Sequence, residues 1–186
     1  SIDTGLSVNV RLGEVETVEH TRDRGFGLTV YFGQRKGSAS TADLNPDSIQ
    51  ATLDQACAIA RFTEEDPAAG LADAARMAKD FPDLELWHPW AIDTAGAIEL
   101  GRRIEDAGRA HAGIANSDGA AVQMGESLAV YANSHGFVGR ERGTRHSLSL
   151  SLIAGEGERM QRDYWYDSAR NAGDFMGAEA LGGKAE

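Results

Sequence analysis

From Ser147 to Leu152 the chain alternates without a break, serine at 147, 149 and 151, leucine at 148, 150 and 152. Successive side chains on a β-strand point to opposite faces, so this pattern puts leucines on one side and hydroxyls on the other. A strand so divided needs a sheet with one face on a core and one face toward water. Antiparallel sheets have that habit; parallel sheets are covered on both faces. The rest of the 186 residues has to supply the neighbouring strands and the layer over the leucines.

Other segments read as strands too. Leu6–Arg11 and Val15–Thr21 alternate around Gly13-Glu14 and predict a hairpin. After a turn at Asp23-Arg24-Gly25, Phe26–Phe32 is aromatic and β-branched. Gly33–Gly37 turns again into a short strand, Ser38–Thr41, so four strands on short turns predict an antiparallel meander. Asn45-Pro46 then signals a helix start, with Asp47 at its positive end. Ile49, Leu53, Ala56, Cys57 and Ala60 make one apolar stripe ending near Phe62. Burying Ile49 or Leu53 would each contribute about 1.5–3 kcal/mol.

Residues 63–92 read as a polar, proline-marked connection, with one short helix expected at Leu71–Ala78. A second helix is expected from Asp93-Thr94 to about His111, with Ile98, Leu100, Ile104 and Ala107 inward. Strands then return, with hairpin turns expected at Asn116–Gly119 and Asn133–Gly136, and a last strand at Met160–Tyr166. The fold class is therefore α+β, with antiparallel or mixed sheets and two main helices in the order strands, helix, long loop, helix, strands. The expected partition is a sheet-plus-helices domain at 1–110, a strand-rich region at 111–167, and the start of an uncompleted segment at 168–186.

The formal net charge is −11, from 18 Lys and Arg against 29 Asp and Glu. Duplex binding draws its affinity from neutralised phosphates, so this balance argues against direct nucleic-acid contact. No apolar run approaches the roughly 18–20 residues that span a bilayer, so no membrane contact is expected. Cys57 is the one cysteine and reads as a small core residue; nothing requires an oxidising compartment, and a cytoplasmic location is expected. With no initiator Met and a strand pattern almost at once, the gene product is expected to begin earlier.

Motifs that carry chemistry are scarce. His20, His88, His111, His135 and His146 make no His-Glu-x-x-His, and zinc needs three or more converging ligands. His135 and His146 lie in strand and turn territory, where cross-strand ligation is conceivable and turn or sheet-surface roles are simpler. No Gly-x-Ser-x-Gly, dinucleotide loop or phosphate loop occurs. No catalytic, cofactor-binding or metal residue is therefore assigned. The polar face Ser147, Ser149 and Ser151 is retained as a candidate for contact with an extended peptide by strand addition, beside its reading as an ordinary solvent face.

Several blocks together resemble one family. They are Gly5–Val8, Gly13–Glu16, Gly27–Tyr31, Gly37–Thr41, Ala58–Pro67, Asn133–Gly136, Thr144–Ser149 and Arg162–Tyr166. They are similar to the TldD/PmbA family, in its PmbA (TldE) branch, over nearly the whole chain. The resemblance implies the earlier half of one subunit of a cytoplasmic bacterial heterodimer that acts as a zinc-dependent peptidase. It further implies a TldD-like partner, which holds the zinc on a His-Glu-x-x-x-His motif, and a peptide or unfolded polypeptide as substrate. Microcin-precursor trimming, antitoxin breakdown and an older label as modulator of DNA gyrase come with the family. No ligand carries over onto this chain, and a helix before the first strand and a C-terminal half are expected outside it. A non-enzymatic protein regulator of gyrase is the alternative reading, and an independent hydrolase using His135 or His146 a third.

Overall fold

A computed structural model describes residues 1–185; Glu186, the last residue of the expected third segment, lies outside the described residues. Ten main elements follow in chain order: β1 (Ile2–Arg11), β2 (Glu14–Arg24), β3 (Phe26–Phe32), β4 (Arg35–Thr41), α1 (Pro46–Phe62), α2 (Thr94–Arg109), β5 (Ile114–Ala132), β6 (Val138–Ala154), β7 (Gln161–Ala169) and α3 (Ala178–Gly182). The class is α+β, as the order of patterns predicts. The four-strand meander does not form. Instead β1 and β2 belong to a five-stranded sheet ordered β2-β1-β5-β6-β7, while β3 and β4 pair with each other in a separate two-stranded sheet. Short turns fix which strands follow one another, but not which strands pair; Gly25 still exchanges backbone bonds with Ser1, at 3.0 and 2.8 Å, before the chain enters β3.

Contacts divide the chain into two compact units. The first holds residues 1–2, 23–83 and 128–141; the second holds residues 3–22, 84–127 and the chain from Arg142 onward. The boundary expected at 110/111 lies within the second unit.

In the first unit, α1 covers the β3–β4 hairpin. Asn45 caps the helix by accepting from the Ser48 amide at 2.8 Å, and Pro46 fills the first turn, where its missing amide costs nothing. Asp43 braces this start. Bonds from the Asn45 amide and then from the Ser48 hydroxyl hold its carboxyl below the usual carboxylate range, with Arg24 helping. The buried stripe is Thr52, Ala56 and Ala60, rotated from the expected one; Leu53 is 38% exposed and Cys57 half-buried. Small residues win because the backbones approach closely. A Cβ at Gly37 would lie 2.1 Å from the Ala56 carbonyl oxygen and 2.5 Å from the Ala60 nitrogen. A leucine face would hold the helix off.

In the second unit, one face of the five-stranded sheet is the core. Val8 and Val10 of β1, Ala120 and Val122 of β5, and Leu148, Leu150 and Leu152 of β6 pack with Ala97 and Ile104 of α2 and Leu181 of α3. Of the residues expected inward on α2, Ile104 is fully buried, whereas Ile98 and Leu100 pack at the margin. The Asn116–Gly119 turn does not form; β5 runs through it for 19 residues. Its turn chemistry is spent locally, the Asn116 side chain accepting from the Ser117 amide and the Ser117 hydroxyl from the Gly119 amide. Gly119 takes φ +105° there, so the strand kinks without ending. In the first unit the Asn133–Gly136 turn does form, with Gly136 at φ +82°. In the 63–92 connection a single 3-10 turn, Ala74–Arg76, stands where a helix was expected.

Candidate functional site

The face of the sheet opposite the core carries the serine row. Cross-strand partners share a face, and the antiparallel register sets Ser147 against Ser168, Ser149 against Tyr166, and Ser151 against Tyr164. All three candidate serines are half-buried. Ser147 donates to the Gln123 side chain on β5 at 2.9 Å. Arg162 reaches both the Ser151 hydroxyl at 3.0 Å and the Asp118 carboxylate at 2.7 Å. Tyr164 and Tyr166 stack with centroids 6.5 Å apart and rings 19° from parallel. The result is a hydroxyl row bordered by an aromatic pair and a fixed guanidinium.

Strand addition at the serine strand itself is not available. β6 lies between β5 and β7, so both its backbone edges are already paired. Only the hydroxyls of Ser147, Ser149 and Ser151 are on offer, and the sheet's edges are β2 and β7. Sequence alternation reveals which residues share a face; it is silent about which strand is outermost.

His146 neighbours Ser147 in sequence but points to the opposite face, fully buried. Its Nε2 lies 3.1 Å from the His88 carbonyl oxygen, and the Trp90 ring packs edge-on at 5.3 Å. A carbonyl oxygen only accepts, so Nε2 is the donor in that bond, and Nδ1 is buried without a hydrogen-bond partner among the described residues. Nearby Thr144 accepts from the His88 amide at 3.0 Å and bonds the Arg170 carbonyl at 2.9 Å. These bonds fasten the incoming loop, where Arg142 also lies over the Trp87 ring at 5.1 Å. The assembly anchors a loop and offers Ser147 no base.

The other histidines are likewise in local contacts. The His88 ring meets the Glu85 carbonyl at 2.7 Å, the His20 ring meets Thr94 at 3.3 Å, and His135 sits in the turn with its amide bonded to Asn133. Among the described residues no three His, Cys, Asp or Glu side chains converge as a metal would require.

One buried charged residue escaped the sequence reading. Glu105 of α2 is fully buried, and its two carboxylate oxygens accept from the Leu12 and Gly13 amides, each at 2.8 Å. Arg102, one turn earlier, donates to the Gly13 carbonyl at 2.8 Å. Leu12 at φ +52° and Gly13 at φ +79° form the left-handed two-residue turn between β1 and β2. Glu105 falls on the inward side of the helical period, a polar residue where the pattern calls for an apolar one; that breach was the available signal.

Comparison with known proteins bears on all of this. Residues 2–60 match the family model of the PmbA/TldA metallopeptidase domain 1, and residues 87–185 that of the PmbA/TldA metallopeptidase central domain. The "Metalloprotease PmbA" of Escherichia coli O157:H7 is 44% identical over 96% of this chain and 40% of its own length. A "Metalloprotease PmbA homolog" of Haemophilus influenzae is 44% identical over 90% of this chain and 37% of its own. Among solved structures, a modulator of DNA gyrase from Bacteroides thetaiotaomicron superposes with TM-score 0.89 at 27% identity, covering 99% of this chain and 42% of that one. TldE from Thermococcus kodakarensis shares the fold, with TM-score 0.76 at 16% identity over 99% of this chain and 41% of that one. The chain thus spans about two fifths of the length of the relatives it matches.

Proposed function

This chain belongs to the PmbA/TldD metallopeptidase family, and from that premise we propose that it is the earlier part of a PmbA-type subunit of a two-subunit, zinc-dependent peptidase. The observation that carries the reading is the match of two successive metallopeptidase domains across residues 2–60 and 87–185. In this reading the zinc and its ligands belong to a TldD-like partner. This chain contributes scaffold and one wall of the chamber that receives a peptide or unfolded polypeptide. The polar sheet face with Ser147, Ser149 and Ser151 suits such a wall, since hydroxyls bond peptide groups without demanding a particular side chain. Microcin-precursor trimming and antitoxin breakdown are the peptide substrates proposed with it, in the cytoplasm.

The name modulator of DNA gyrase, borne by the relative from Bacteroides, supports a second reading as a protein-binding regulator. Reconstitution separates the two. The full-length polypeptide, its TldD-like partner and their mixture are assayed with zinc for cleavage of an unfolded polypeptide, and each is assayed for its effect on gyrase supercoiling. The peptidase reading expects cleavage by the mixture alone, abolished by a chelator. Stoichiometric zinc and cleavage in the isolated polypeptide would overturn the division of labour. Altered supercoiling without the partner would favour the regulator.

A further inference from the structure

We draw no further inference here: the strongest candidate, the buried cluster of Thr144 and His146 on β6 that fastens the loop at His88 and leaves the His146 Nδ1 without a hydrogen-bond partner among the described residues, belongs to the loop anchor already described, and no metal-ligating group of side chains forms around it among those residues.

Discussion

At the scale of single residues, Glu105 makes the strongest claim. A carboxylate is buried only where its lone pairs are met, and here two amides of one turn meet them at 2.8 Å each. Hydrogen bonds to a charged group are worth about 1.5–3 kcal/mol apiece, and leaving donors unmet costs more than the bond itself gained. Glu105→Ala should therefore destabilise the second unit by about 3 kcal/mol. Urea unfolding would show this as a lower midpoint with little change in slope. An unchanged midpoint would mean that water replaces the carboxylate at no cost. The sequence carried half of this arrangement. Leu12-Gly13 lies one residue before the expected turn centre, but nothing near it names a partner 92 or 93 residues away.

Among elements, legibility tracks how local the determining physics is. The first helix was readable to the residue at its start because Asn45-Pro46 acts within one turn. Its buried face is legible in part: Ala56 and Ala60 are buried as the stripe expects, whereas Leu53 is left exposed and Thr52 is buried, because the contact is governed by size at Gly37 and not by apolarity. That contact is testable. Gly37→Ala brings a methyl into the α1 backbone, which cannot rotate aside as a side chain would. The expected cost is about 1–3 kcal/mol, the range for overpacking. Hydrogen exchange should show it as faster exchange in β3, β4 and α1. Wild-type rates there would show that the hairpin and helix separate freely. Strand pairing is the other illegible layer: Asn116–Gly119 has all the residues of a turn, yet the segment lies against β1, whose Val10 carbonyl would be 2.7 Å from a Gly119 Cβ, and the chain kinks there without leaving the sheet.

For the whole molecule, the net charge of −11 is the property that a partner meets first. Binding to duplex DNA releases counterions in proportion to the cations a protein supplies, and this chain supplies 18 against 29 anions. At physiological salt the chain should leave the mobility of a DNA fragment unchanged in a gel, up to micromolar protein. A salt-sensitive shift would reveal a local cationic face that the overall balance conceals. No helix among the described residues is long and apolar enough to cross a membrane. The serine row, the candidate drawn from sequence, is half-buried on the sheet face opposite the core, on a strand that is paired on both sides.

The clasp of Glu105 on the β1–β2 turn has a consequence in time. During synthesis β1 and β2 emerge before either the helix that carries the clasp or β5. The β3–β4 hairpin and α1, which pack on one another, are also complete before residue 105 appears. At roughly 5–20 residues per second the first hairpin waits several seconds for the helix that locks it. Until then the left-handed Leu12 lacks its carboxylate partner, and the charge along β2 is of the kind that discourages a second strand from docking there.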